Sequence, residues 1–156
     1  MNVIVRKGTI DDVSGALKLV KELAEYEKAP LEVDVTEEEM KEWGFGADKQ
    51  FDFFVALDNE AIIGIAIYYF KYSTWKGKCL FLEDIVVTES YRRHKIGKRL
   101  FEEVIKVAKE TKVRRMEWQV LEWNTPAIEF YKKYNALLDP EWINGKLVFT
   151  QLQTYL

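Results

Sequence analysis

The sequence predicts one α/β domain spanning residues 1–156. Three observations point there. The apolar pattern switches repeatedly between the two-residue period of strands and the 3.6-residue period of helices. The early strand-like runs are separated only by turn residues, while the later ones are separated by helical stripes, so the first should pair as hairpins and the others should cross over. The length of 156 residues suits one domain of roughly 100–200 residues with a sizeable core. No repeat, low-complexity tract or linker-like stretch divides it.

NVIVR, Asn2 to Arg6, reads as a short strand. Thr9 followed by Asp12 is an N-cap signal, and Val13, Ala16, Leu17, Val20, Leu23 and Ala24 then form one apolar stripe, a helix ending near Lys28-Ala29-Pro30. TEEEMKEW starts a second helix at Thr36, which the Gly44/Gly46 pair stops. FDFFVAL (Phe51 to Leu57), a turn at Asp58-Asn59 and AIIGIAIYYFKY (Ala61 to Tyr72) read as a hairpin. CLFLEDIVV, Cys79 to Val87, is almost continuously apolar and reads as a central strand buried on both faces, which leaves Glu83 and Asp84 to be explained. Ile96, Leu100, Phe101, Val104, Ile105 and Ala108 give another helical stripe, and RRMEWQVL (Arg114 to Leu121) another strand. Thr125-Pro126 has the order of an N-cap and first helical residue; Ala127, Phe130, Tyr131 and Tyr134 mark that helix's buried side, and Asn135 can close it in the left-handed conformation. KLVFTQLQTYL, Lys146 to Leu156, alternates as a last strand.

Composition removes several classes of function. With 48% hydrophobic and 31% charged residues, and no apolar run near the roughly 20 residues of a membrane span, the chain reads as a soluble protein without a membrane partner. MNVIVRKGT is too short an apolar run for a signal peptide, so a cytoplasmic location is expected. One Cys and one His leave too few ligands for structural zinc, and no metal is expected. A pI near 5.4 argues against a nucleic-acid partner, since such domains usually lie above about 9. Cys79 reads as a small core hydrophobe.

Against this acidic background YRRHKIGKRL, Tyr91 to Leu100, concentrates Arg92, Arg93, Lys95, Lys98 and Arg99. A buried strand, a short loop and a helix opening near Gly97 present free N–H groups and a positive dipole end to an anion, and the cations would hold phosphate oxygens. The alternative is a solvated basic turn opposing Glu102 and Glu103.

LVKELAEYEK (Leu19 to Lys28), YYFKYSTWKGKCLFLEDIVV (Tyr68 to Val87), YRRHKIGKRL and EWNTPAIEFYKKYNA (Glu122 to Ala136) together resemble the GNAT superfamily of acetyl-CoA-dependent N-acetyltransferases, in its spermidine/spermine and thialysine N-acetyltransferase branch. The resemblance implies that family's acyl-CoA N-acyltransferase fold: a mixed, mostly antiparallel twisted sheet with a splayed central strand pair and flanking helices. It also implies acetyl-CoA as co-substrate. The R-x-x-G-x-G/A loop falls on Arg92 to Gly97, and Arg92, Arg93, His94, Lys95, Ile96, Gly97 and Lys98 become the pyrophosphate-binding residues. Ile85, Val86 and Val87 would pair with the pantetheine arm, and Asn124 would help position the cofactor or simply cap its helix. The first glycine of the motif is Lys95 here, which would cost about 1 kcal/mol if its φ is positive; Asn135 stands where the family usually has glycine.

The same resemblance implies direct attack of an amine on the thioester, with Glu83 as proton acceptor, acting through a water, and Tyr131 as the acid for the thiolate and a cofactor contact. A base is needed because only about one lysine-like amine in a few thousand is uncharged at pH 7. Tyr26, Glu27, Glu83, Glu117, Trp118 and Gln119 would line the substrate, whose expected class is a small cationic polyamine or diamine; a lysine-like amino acid such as thialysine is the alternative, and a non-catalytic acyl-CoA-binding module the alternative of another class. Tyr68, Tyr69, Phe70, Tyr72 and Trp75 are either cation–π walls, hairpin packing or a dimer surface. A homodimer is implied by the resemblance alone.

Overall fold

The structure is a computed structural model that describes residues 1–154. The chain forms two compact units, Met1–Gln119 and Val120–Leu156. The first is built on a five-stranded sheet in the order β1-β2-β3-β4-β5: β1 Val3–Lys7, β2 Asp52–Asp58, β3 Ala61–Ser73, β4 Gly77–Val87 and β5 Met116–Glu117. Strands β1 to β4 are antiparallel neighbours and β5 runs parallel to β4. Helices α1 (Val13–Tyr26), α2 (Glu37–Phe45) and α3 (Ile96–Glu110) complete the unit, the mixed, mostly antiparallel architecture expected. No helix among the described residues is long and apolar enough to cross a membrane.

Local chemistry sets the element ends. Asp12 accepts hydrogen bonds from the Thr9 N–H at 2.7 Å and from the Arg6 guanidinium at 2.6 and 3.0 Å, closing a 3₁₀ turn that leads into α1. At α2, Thr36 and Glu39 form a reciprocal capping box, with bonds of 2.9 and 3.2 Å, and Gly46 ends the helix. Asn59 takes a φ of 56° in the β2–β3 turn, as hairpin turns require. The α1 stripe packs Val13, Ala16 and Leu17 with Val55, Ile65, Ile67 and Val86 of the sheet, while Leu100, Phe101 and Val104 of α3 are fully or almost fully buried.

Two departures from strict pairing shape the centre of the sheet. Tyr68 lies opposite Leu82 but Ile67 opposite Asp84, so Glu83 is an extra residue, a β-bulge in β4. The ladder to β5 contains only Leu80↔Met116 and Phe81↔Glu117. From Leu82 onward, the outer edge of β4 has no strand partner among the described residues, the splay expected here.

The sequence expectations need four corrections. The strand read over Arg114 to Leu121 is two residues long, because a strand persists only where its ladder does and β5 loses β4 at the bulge. β4 is not buried on both faces throughout: Glu83 is exposed, since its edge is open. In the second unit α4 spans Thr125–Lys132, and its cap is not the Thr125 of the Thr-Pro order but Asn124, as the second reading of that residue had it, with its side-chain oxygen accepting from the Ala127 N–H at 3.3 Å. The alternating tail forms no strand over residues 146–154; Phe149–Leu152 is a short helix, α5, because alternation without a partner strand cannot satisfy the backbone. The rest of that expected strand, Tyr155 and Leu156, lies outside the described residues. Asn135 has the expected left-handed φ, 55°.

Candidate active site

The basic loop forms an anion cradle. Arg93 and Lys95 have φ of 69° and 62°, and these left-handed residues alternate with neighbours of negative φ. Such alternation turns successive N–H groups to one side, the arrangement that encloses anions. The first backbone bond back into this segment on its helical side is Arg99 N–H to Lys95 C=O, 3.1 Å, so the amides of residues 93–98 have no backbone acceptor among the described residues. They open the 15-residue helix α3, whose dipole adds positive potential. A Cβ placed on Gly97 would meet only Val87 Cγ2, at 3.8 Å; the glycine therefore answers to no packing need and leaves the cradle open. Free amides, exposed Arg93, His94, Lys95 and Lys98 and the open edge carrying Ile85, Val86 and Val87 form a donor set that fits a diphosphate with an extended tail.

A group of carboxyls lies on the same strand. Asp84 is pushed up to about 7, first by burial and then by the charges of Glu83 and Glu27; burial also raises Glu27. Glu83 itself is exposed and accepts a hydrogen bond from the Tyr69 hydroxyl at 3.1 Å. That phenol is pushed up to about 12 by burial and by the neighbouring carboxylates, so it stays a donor. No ion pair to Glu27, Glu83 or Asp84 forms among the described residues, although the chain carries 23 Lys and Arg.

Arg92 occupies the junction of these features. Its Nε donates to the Val87 carbonyl at 3.1 Å, and its guanidinium lies over the Tyr26 ring, 5.1 Å from the centroid. The remaining expected substrate residues sit apart in role. Glu117 is engaged by Lys71 and Arg115, each at 3.2 Å; Trp118 packs edge-on to Phe101 at 5.4 Å; Gln119 is exposed. The aromatic run divides: Tyr68 stacks on Phe54 at 5.8 Å, Tyr69 lies tilted against Phe81 at 5.4 Å and Lys78 sits 4.2 Å from the centre of Phe70, all within the sheet, while Tyr72 and Trp75 are exposed. Cys79 is fully buried. In the second unit, Tyr131 lies on the buried side of α4 with the Phe130 ring 5.3 Å away, and Asn124 serves as the cap already described.

Sequence reasoning singled out Asp84 without giving it a role, and it missed Tyr69 as the hydrogen-bond donor to Glu83. Asp84 was visible as the second acid of FLEDIVV, but a one-residue bulge cannot be read from the letters.

An anion cradle at a helix N-terminus, beside an open strand edge and a group of carboxyls in a mixed sheet, is the site of a protein that binds a phosphorylated ligand with an extended tail, and it suits acyl transfer. Comparison with known proteins makes this specific. The acetyltransferase (GNAT) family model matches residues 18–136. Thialysine N-epsilon-acetyltransferase of Bos taurus is 35% identical over 142 residues, covering 86% of this chain and 84% of that protein. Spermidine/spermine N(1)-acetyltransferase-like protein 1 of Homo sapiens is 31% identical over 140 residues, covering 85% of this chain and 20% of that protein. A possible acetyltransferase from Clostridium difficile shares the fold with a TM-score of 0.78 at 21% identity, over 95% of this chain and 99% of that one. The chain belongs to the GNAT acetyltransferase family, and it is an N-acetyltransferase.

Proposed function

We propose that the enzyme acetylates a primary amine of a small cationic substrate of the polyamine or diamine class, using acetyl-CoA, by direct attack in a ternary complex. The observation that carries this reading is the division of charge along one strand: uncompensated carboxyls at the β4 bulge, and a cationic amide cradle after its end. The first suits an ammonium substrate and the second a diphosphate. Acetyl-CoA supplies the thioester on which the amine acts. Arg93 through Lys98 would grip the diphosphate with backbone donors and flanking cations, Arg92 would fix the loop, and Ile85 to Val87 would hold the extended arm along the open edge. A backbone N–H on that edge would stabilise the oxyanion, an effect worth up to roughly 3 kcal/mol.

Tyr26 and Glu27 at the end of α1 would receive the ammonium, with Glu117, Trp118 and Gln119 as further substrate contacts. Glu83, exposed to water, would accept the amine's proton through a water; Asp84, beside it, would share the cation. Tyr131 would give the thiolate its proton, and Asn124 would support the cofactor's side; these two roles rest on the resemblance of EWNTPAIEFYKKYNA to the family. We take the two units as one domain, because the family match crosses from one into the other, and the enzyme as a cytoplasmic homodimer on the same likeness.

A second reading, a lysine-like amino acid as acceptor, is favoured by the relatives named for thialysine and by the L-ornithine N5-acetyltransferase of Arabidopsis thaliana, 35% identical over 98 residues. A panel of spermidine, spermine, thialysine, lysine, ornithine and a peptide N-terminus, with thiol release from acetyl-CoA as readout, separates the readings. Turnover of spermidine or spermine at the highest kcat/KM supports the first. Preference for the amino acids supports the second, and CoA binding without turnover of any amine would make the protein an acyl-CoA-binding module.

A further inference from the structure

The segment between β4 and the cradle is tied to the rest of the first unit by three sets of side-chain bonds. Glu22 of α1 accepts from the Thr88 hydroxyl and the Glu89 N–H, both at 3.2 Å. The Tyr91 hydroxyl donates to Asp58 at 3.3 Å. Arg92 makes the third tie, and of the three only it reaches a residue of the proposed amine side: its Nε–H donates to the Val87 carbonyl while its guanidinium carbon lies over the Tyr26 ring, 5.1 Å from the centroid. Arg92 also directly precedes Arg93, the first left-handed residue of the cradle. A non-glycine residue in that conformation holds it only when its surroundings fix it.

We propose that Arg92 is a positioning residue that couples amine binding at Tyr26 to the grip of the 93–98 amides on the cofactor diphosphate, so that each substrate tightens the other. This rests on the functional reading above. An amine seated against Tyr26 orders the ring that the guanidinium covers, and that ordering is shared with the loop because the same rigid guanidinium is hydrogen-bonded to Val87. The second ligand then meets a site already ordered, which is positive coupling without a large movement. Lysine cannot substitute, because an ammonium on a flexible stem cannot donate in plane to Val87 and stack on Tyr26 together.

The test is a double-mutant cycle on binding of CoA itself, measured by calorimetry with and without saturating spermidine, in the wild type, Arg92→Lys, Tyr26→Leu, the double variant and Tyr26→Phe. Tyr26 is 37% exposed, so its truncation does not open the core. Tyr26→Leu, a change on the amine side, is expected to weaken CoA binding about two- to fivefold, the range of a partly exposed cation–π pair. Arg92→Lys should do the same or more, the double variant should be no weaker than Arg92→Lys, and Tyr26→Phe, which keeps the ring, should restore wild-type CoA affinity. Spermidine should tighten CoA binding in the wild type and lose that effect in Arg92→Lys. Unchanged CoA affinity in Tyr26→Leu, or effects of the two substitutions that multiply, would overturn the coupling. The CoA-only arm needs no turnover, so it judges the coupling even if the amine panel refutes the functional reading.

Discussion

Replacing Asp84 by asparagine should stabilise the enzyme, and more so as pH rises. Asp84 is held up to about 7 from an ordinary 3.8, a difference of about three pKa units, and each unit corresponds to about 1.4 kcal/mol. Below about pH 4 the carboxyl is neutral in folded and unfolded chains and contributes nothing. Between about 4 and 7 the unfolded chain releases the proton while the folded protein keeps it, so stability falls with rising pH; above about 7 the penalty is complete, with a ceiling of about 4 kcal/mol. Asparagine keeps the shape and removes the charge. Urea unfolding at pH 5 and pH 8 isolates the electrostatic part, because any packing difference between Asp and Asn is common to both conditions. The gain of Asp84→Asn over wild type should be larger at pH 8 by about 2 to 3 kcal/mol. A gain that is equal at both pH values, or larger at pH 5, would refute the placement of Asp84 in a desolvated group of carboxyls.

Asp12→Asn should act with the opposite sign, since the Arg6 guanidinium and the Thr9 donors hold the Asp12 carboxyl below its usual range; about 2 kcal/mol should be lost at pH 7, and thermal melts should show wild type and variant converging as pH falls below about 4 through the folded-state value. Gly97→Ala places a methyl in the cradle with only Val87 Cγ2 nearby, so Tm should not fall while KM for acetyl-CoA rises about tenfold, a loss of about 1.4 kcal/mol of contact. Lys95→Gly should leave KM for acetyl-CoA within about threefold and stability within about 1 kcal/mol, because relief of left-handed strain is offset by the freedom of glycine in the unfolded chain. Tyr131→Phe should lower kcat at least about tenfold, the low end of general-acid effects, with CoA affinity retained in calorimetry.

Most of the fold was legible because its elements carry strong periodicity or explicit stop signals. The α1 stripe, the helix start at Thr36 and the Asp58-Asn59 turn each carry a strong local signal, and each formed where expected. The strands at the end of the chain were less legible, because a strand is a relation between two segments. Residues 114–121 alternate as well as β1 does, yet only Met116 and Glu117 find a ladder. The cradle was visible as charge and glycine spacing, and the left-handed Lys95 as the cost of a missing glycine; Arg92 was legible as a cation but not as a stacking partner of Tyr26, which lies more than sixty positions earlier.

The bulge explains why the letters FLEDIVV pointed to one acid and the folded strand selects the environment of another. Side chains of directly opposed residues share a sheet face, and a one-residue slip moves a strand's side chains to the other face. With unbroken pairing, Asp84 would follow Leu82 onto the face of Tyr68, the side where Leu100 of α3 approaches Gly64. The extra residue at Glu83 instead sets Asp84 opposite Ile67, and Val86 opposite Ile65. Ile65, Ile67 and Val86 belong to the core that packs on α1, so the bulge turns Asp84 toward the helix that ends beside Glu27. Its burial and its repulsion from Glu27 both follow from that turn, and Glu83 is left on the open edge, in water and within reach of Tyr69. One inserted residue thus sorts two adjacent carboxyls into a desolvated one facing α1 and an exposed one on the open edge.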